Sequence, residues 1–97
     1  MTPTFHSASS FLNQYRRLTE AQKKEFKAAV DKLVADLRAG QGFRMSLGVK
    51  KYQGQEGVFE MRWAPDGRAL FRHGDEVRRG ERHVVWIAVG GHEIYDK

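Results

Sequence analysis

The sequence of 97 residues contains no cysteine, and it has no long apolar run. The absence of cysteine excludes disulfide frameworks, zinc sites with thiolate ligands and cysteine nucleophiles. The longest apolar stretch, residues 84–89, is far too short to cross a bilayer. Residues 1–10 also lack a basic segment followed by an apolar one, so we expect a soluble cytoplasmic protein without membrane contact.

Acidic residues are fewer than basic ones, 12 against 17, which gives a formal charge of +5 and a pI near 9.8. Such a balance favours acidic partners, meaning RNA, DNA or an acidic protein, although many small basic proteins bind none of these. The length suits a single domain, residues 1–97, with one modest core. The histidines at positions 6, 73, 83 and 92 lack the spacing of paired ligands, so we expect neither a metal ion nor another cofactor.

Two helices are predicted in the first half of the chain, after a short edge strand at residues 3–6. For the first helix, Ser7, Ser9 or Ser10 is a candidate cap, and an apolar stripe comprises Phe11, Leu12, Tyr15 and Leu18. The second helix begins with the capping-box pattern of Thr19 and Gln22 and is expected to stop at Gly40. Its apolar stripe comprises Phe26, Ala29, Val30, Leu33, Val34 and Leu37.

Residues 57–73, GVFEMRWAPDGRALFRH, predict a β-hairpin. Residues 64–67, APDG, suit a type I turn in which Gly67 takes a left-handed conformation and closes a three-residue loop. This loop predicts a register in which Ala64 lies opposite Arg68 and Glu60 lies opposite Arg72. Alternation along the strands then separates an apolar face, Phe59, Met61, Trp63, Ala69 and Phe71, from a charged face, Glu60, Arg62, Arg68, Leu70 and Arg72.

Three guanidinium groups around one carboxylate exceed what solubility requires, so the charged face is the candidate site for a phosphate backbone. Lys50 and Lys51 stand just before the hairpin in a stretch, residues 43–52, that is ambiguous between loop and strand. They are candidate RNA ligands, or they simply protect an exposed sheet edge.

The last strand, residues 83–89, is apolar on both faces, which favours a central position in the sheet. Gly90 and Gly91 then allow the chain to turn His92 and Tyr95 toward the charged face. The order of elements, β-α-α-β-β-β, predicts an α+β domain with two N-terminal helices on one face of a small antiparallel sheet. The other face is expected to be open.

The segments GVFEMRW, RALFRHG and HVVWIAVGGHEIY, with the helical half before them, resemble the RelE/ParE superfamily of bacterial toxins. The resemblance implies a cationic concave site on the sheet. RelE-like members of type II toxin–antitoxin systems cleave mRNA, commonly on the ribosome, and an antitoxin neutralises them. ParE-like members instead inhibit DNA gyrase.

Carried over by position, Arg62 and Arg68 match basic positions of the hairpin, while His92 and Tyr95 match the late imidazole and terminal tyrosine positions. Arg72 is added from the hairpin geometry. Glu60 departs from the lysine of some ribosome-dependent members, and it is either a general base or a structural partner of Arg72.

Three functions follow from these patterns. The first is a metal-independent endoribonuclease in which His92, Glu60 and Tyr95 transfer protons and the arginines stabilise the phosphorane, with an acidic antitoxin, mRNA and the ribosome as partners. The second is a gyrase inhibitor without nuclease activity. The third is a non-toxic RNA-binding module. A titrating histidine beside an arginine cluster favours the first, since binding alone does not require it.

Overall fold

The computed structural model describes residues 4–40, 42–75, 82–91 and 94. Within these ranges the elements in chain order are β1 (Thr4–Ser7), α1 (Ser9–Arg16), α2 (Glu20–Ala39), a 3-10 turn (Met45–Leu47), β2 (Lys50–Lys51), β3 (Val58–Arg62), β4 (Arg68–Gly74) and β5 (His83–Gly90). The strands form one sheet in the order β1-β5-β4-β3-β2, in which only the β1–β5 pair is parallel. The predicted α+β architecture, with a short edge strand first and the last strand inside the sheet, is confirmed.

Helix α2 begins and ends where the sequence predicts. Thr19 N–H donates to Gln22 Oε1 at 2.8 Å, and Gln22 N–H donates to Thr19 Oγ1 at 3.1 Å, which completes the capping box. Gly40 adopts φ 69° at the other end, a left-handed conformation that glycine takes without steric cost. No helix in the described ranges combines the length and the apolar character that a membrane span requires.

Helix α1 differs from the prediction at its cap. Its N-cap is Ala8, and no side chain caps the helix. Ser10 Oγ instead donates to the Ile87 carbonyl at 3.0 Å, so this serine joins the helix to the sheet. Leu12, predicted in the apolar stripe, is 42% exposed.

The core lies between the helices and one face of the sheet, as predicted. Leu33 and Leu37 of α2 belong to one buried cluster with Met61, Trp63 and Phe71, and Val30 and Phe59 pack against it. Phe26 links the layers, with its ring centroid 5.4 Å from that of Trp86 and 6.0 Å from that of Trp63. These two apolar surfaces cover each other because neither has another partner of similar size.

The hairpin pairs β3 with β4 in a register displaced by two residues from the predicted one. Arg62 lies opposite Arg68, and Glu60 lies opposite Leu70 rather than Arg72. The turn at residues 64–67 is present, since Gly67 N–H donates to the Ala64 carbonyl at 3.0 Å. A shift by an even number of residues leaves every side chain on its predicted face.

Gly67 explains the difference in register. Its φ is not positive, so the left-handed closure that the sequence suggests does not form. The indole of Trp63 occupies the space instead: a Cβ on Gly67 would lie 2.5 Å from Trp63 Cδ2. Trp63 Nε1 also donates to the Arg68 carbonyl at 2.9 Å. Gly67 is therefore required because the indole packs on its backbone.

The ambiguous stretch at residues 43–52 contains both a turn and a strand. After the 3-10 turn, Lys50 pairs with Glu60 and Lys51 with Phe59, so β2 forms the outer edge of the sheet. Asp36 of α2 fixes the preceding segment by accepting from Arg44 Nη2 at 2.8 Å and from the Arg44 backbone N–H at 2.9 Å. These hydrogen bonds lower the pKa of Asp36 below its ordinary value, those from the Arg44 side chain more than that from its backbone.

Candidate functional site

The sheet face opposite the helices carries the charged residues that the sequence singles out. We call it the arginine face and define it by Lys50, Glu60, Arg62, Arg68 and Arg72. The strand registers place these residues on one side, with Arg62 opposite Arg68 and Lys50 opposite Glu60. Directly opposed like charges destabilise a strand pair, so the Arg62–Arg68 pair is not explained by stability of the sheet.

Arg68 is held at the hairpin loop. Its Nη1 donates to the carbonyls of Gly67 at 2.9 Å, Pro65 at 3.2 Å and Ala64 at 3.3 Å. These three bonds all use one nitrogen, and they fix the guanidinium at the turn end of the face. A fixed guanidinium loses less conformational entropy when it binds a phosphate than a mobile one does.

Arg62 and Arg72 extend toward solvent from neighbouring strands. Both side chains belong to exposed residues. Arg62 lies over Gly48, since a Cβ at that glycine would be 3.5 Å from Arg62 Nε and Nη2. Arg72 lies opposite Val58 and Val85 and forms no ion pair with another residue in the described ranges. The two guanidinium groups therefore provide accessible positive charge along the hairpin.

Glu60 and Lys50 form an ion pair on this face, with 3.2 Å between Glu60 Oε1 and Lys50 Nζ. The Glu60 side chain is 13% exposed and the Lys50 side chain 73% exposed. Lys50 is thus the observed cross-strand partner of Glu60, in place of the Arg72 partnership that the predicted register implies. Lys51 lies opposite Phe59 and is directed to the helix side of the sheet, so the structure does not bring it to the arginine face.

The arginine face is not fully open, which corrects the sequence expectation. A second buried cluster on it contains Val58, Leu70, Ala88 and Ile94. Ile94 reaches this cluster because the chain turns after β5, where Ile94 N–H donates to the Gly91 carbonyl at 3.2 Å. The charged groups therefore surround a small apolar cluster whose four members are each at most 7% exposed, so this part of the face is already covered.

His92 and Tyr95 lie outside the described residues. The strand that leads to them is described, and α1 fixes its end. Strand β1 stops at Ser7, which leaves the β5 edge without a strand partner from Ile87 onward. Ser10 then donates to the Ile87 carbonyl, and the Val89 N–H donates to Gln14 Oε1 at 2.9 Å. Sequence reasoning missed this role of Gln14, because the pattern of α1 shows only its apolar stripe.

His73 is a second residue that sequence reasoning set aside. Its ring centroid lies 5.5 Å from that of Phe59 and 6.0 Å from that of Phe71, both in edge-on geometry. Burial lowers the pKa of His73 below its ordinary value, and the positive charge of Arg82 lowers it further. A neutral imidazole at this position suits packing against aromatic rings, and it places no further charge beside the arginine face.

Comparison with known proteins gives a match in structure and none in sequence. No protein-family model and no curated protein sequence matches the chain. A chain of the Escherichia coli DinJ–YafQ toxin–antitoxin complex superposes with a TM-score of 0.73 at 11% identity, and each chain is covered to 100%. A chain of the RelB–RelE antitoxin–toxin complex from Methanococcus jannaschii gives 0.61 at 15% identity, with 94% of this chain and 95% of that chain covered. A chain of the E. coli RelBE toxin–antitoxin complex gives 0.60 at 18% identity, with 94% and 98% covered. The chain therefore has the fold of the RelE and YafQ toxins, as the sequence resemblance implied.

Proposed function

We propose that the chain is a RelE-like toxin, a metal-independent endoribonuclease that cleaves mRNA on the arginine face and is neutralised by an acidic antitoxin. The observation that carries this proposal is the cross-strand arrangement of Arg62, Arg68 and Arg72 on a RelE-like sheet. Such a cationic surface binds phosphate oxygens, and guanidinium groups do so with two parallel hydrogen bonds.

The chemistry requires no group beyond the chain and the RNA. The RNA 2′-hydroxyl attacks the adjacent phosphorus while a base removes its proton, and the 5′-oxygen leaves with a proton from an acid. The products are a 2′,3′-cyclic phosphate and a 5′-hydroxyl end. His92 and Glu60 are the candidate bases, and Tyr95 is a candidate proton donor. Arg62, Arg68 and Arg72 stabilise the charge of the phosphorane.

An antitoxin partner follows from the same charge distribution. The DinJ–YafQ and RelB–RelE structures are complexes of a toxin with its antitoxin. In this chain the exposed arginines repel one another, so an acidic segment that covers them would bind with favourable electrostatic energy. We expect the affinity for the partner to fall as salt rises and to fall on charge reversal at Arg72. An affinity that is indifferent to both changes would place the partner elsewhere.

The test of function is expression of the chain without a partner. We expect growth arrest with new transcript ends that carry 5′-hydroxyl groups. His92→Gln should lower cleavage while the fold is retained, and the wild-type rate should change between about pH 5 and 8, where imidazole titrates. Glu60→Gln separates the two candidate bases. Growth arrest with unchanged transcript ends and altered DNA supercoiling would reject the nuclease and support gyrase inhibition.

Neighbouring lysines provide a matched control for the location of the RNA. Lys50 lies on the arginine face and Lys51 on the opposite side, and both are exposed. Lys50→Gln and Lys51→Gln each remove one positive charge at adjacent positions that lie on different faces, and Lys50→Gln also removes the ion pair with Glu60. We expect the first to weaken RNA binding more than the second. Equal losses would show that the RNA does not discriminate between the faces.

A further inference from the structure

A cleft lies where the α1–α2 junction meets the β3–β4 loop and the end of β5. Its volume is about 530 Å³, and its lining includes Gln14, Arg17, Gln22, Asp66 and Gly90. The volume is within the range of small-molecule sites, which is about 300–1,000 Å³. The lining is mixed in polarity, with apolar wall from Leu18 and Trp63 beside these polar groups. The cleft therefore suits a flat polar group rather than a purely apolar one.

Two glutamine side chains in this cleft have a defined amide orientation, because a backbone N–H donates to the oxygen of each. Gln14 Oε1 accepts from Val89 N–H at 2.9 Å, and Gln22 Oε1 accepts from Thr19 N–H at 2.8 Å. Because an N–H must face an oxygen, these contacts settle which end of each amide is which. In each amide the NH2 donors therefore lie on the side away from the backbone N–H that the oxygen contacts. The cleft thus combines oriented amide donors with the carboxylate of Glu25.

The cleft adjoins the arginine face through shared residues. Gly67 lines the cleft and its carbonyl accepts from Arg68 Nη1 at 2.9 Å. Gly90 lines the cleft as well, and it lies directly opposite Arg68 in the β4–β5 pair. Arg68 Nη1 thus lies within hydrogen-bond distance of two residues of the cleft wall, Ala64 and Gly67, so a phosphate bound by Arg68 would place a neighbouring base beside the cleft.

We propose that this cleft is a base-recognition subsite, in which Gln14 and Gln22 donate hydrogen bonds to the edge of one RNA base next to the cleaved phosphate. The proposal rests on the proposed nuclease function and assigns its sequence preference. The two donors require two acceptors on the base, and the Glu25 carboxylate suits an amino or imino group on the same edge. The pyrimidines present two acceptors and one such donor on a single edge: O2, N3 and the N4 amino group in cytosine, and O2, O4 and the N3 imino group in uracil.

The alternative is that both glutamines have only a structural role, since each accepts a hydrogen bond from a backbone N–H. Glutamate distinguishes the two roles, because a carboxylate still accepts from the backbone N–H but no longer donates. Gln22→Glu keeps a capping box of the usual Thr-x-x-Glu type. Gln55→Glu, in the exposed loop between β2 and β3, is the matched control for the added negative charge.

Mapping of transcript ends measures the preference directly. We expect the wild-type chain to favour one base at a fixed position beside the cut, and Gln14→Glu or Gln22→Glu to reduce that preference about 5- to 100-fold, as expected for a lost base contact. Gln55→Glu should retain it. A wild-type chain that cuts without base preference, or a preference unchanged in both cleft variants, would overturn the subsite and leave the nuclease intact.

Direct binding separates this proposal from the failure of the nuclease. The side-chain NH2 signals of Gln14 and Gln22 can be followed by NMR during titration with each of the four ribonucleoside 5′-monophosphates. We expect both signals to shift with cytidine or uridine monophosphate, whether or not cleavage is observed, and the Gln55 signal to stay. Absence of a shift with all four, or shifts that occur only with an acidic peptide, would overturn the subsite.

Discussion

Gly67→Ala tests the arrangement that sets the hairpin register. The new Cβ would lie 2.5 Å from Trp63 Cδ2 and 2.6 Å from Trp63 Cε2, so the indole must move. Trp63 is 9% exposed and Nε1 donates to the Arg68 carbonyl, so movement loses packing and a hydrogen bond together. Overpacking costs about 1–3 kcal/mol and the hydrogen bond about 1 kcal/mol, which sums to about 2–4 kcal/mol.

Urea unfolding followed by far-UV circular dichroism measures this loss, and a double-mutant cycle assigns its cause. Leucine at position 63 lacks the indole atoms that a Cβ at residue 67 would meet. In the Trp63→Leu background, Gly67→Ala should therefore be neutral or slightly stabilising, since φ of Gly67 is not in the left-handed region. An equal cost in both backgrounds would show that the backbone conformation, and not the indole, requires glycine.

Three further predictions concern stability. Leu33 is fully buried, so Leu33→Ala should lower the free energy of unfolding by about 2–5 kcal/mol in urea titrations, and a loss below about 0.5 kcal/mol would place α2 elsewhere. Because Arg44 lowers the pKa of Asp36, the wild-type chain should be more stable than Asp36→Asn above the ordinary pKa of 3.8 and should lose this extra stability as the pH falls further. Free energies of unfolding of both chains from pH 7 to 2.5 measure this, and a difference that stays constant with pH would contradict it. The lowered pKa of His73 means that the unfolded chain binds more protons, so stability should fall as the pH drops below 6.5. His73→Gln should remove that part of the slope, and an NMR titration midpoint of His73 at or above 6.5 would refute the shift.

Much of the fold was predictable because it depends on local patterns. A few neighbouring residues determine each of three features: the capping box of Thr19 and Gln22, the end of α2 at Gly40, and the apolar face of the hairpin. The exact register of the hairpin was not predictable, because it depends on where the Trp63 indole packs, and this is a tertiary contact. The facial assignment of Arg62 and Arg68 survived only because the error was an even number of residues.

The candidate site was predictable in composition and less so in detail. Residue types and alternation indicated a cationic face, but the ion pair of Glu60 with Lys50 needed the β2–β3 pairing, which the ambiguous residues 43–52 concealed. The apolar cluster around Leu70 depends on the turn that brings Ile94 onto the sheet, and no periodicity signals such a turn. The role of Gln14 likewise depends on where β1 ends beside β5.

The most direct test of the account is the rate of mRNA cleavage by Arg72→Gln, compared with Lys51→Gln, in an extract that contains ribosomes. Both changes remove one exposed positive charge, and only Arg72 lies on the arginine face. Loss of one group that stabilises the transition state should lower the rate about 100-fold, equivalent to about 3 kcal/mol, while Lys51→Gln should cleave at close to the wild-type rate. Equal rates for the two variants, or no cleavage by the wild-type chain, would contradict cleavage on the arginine face.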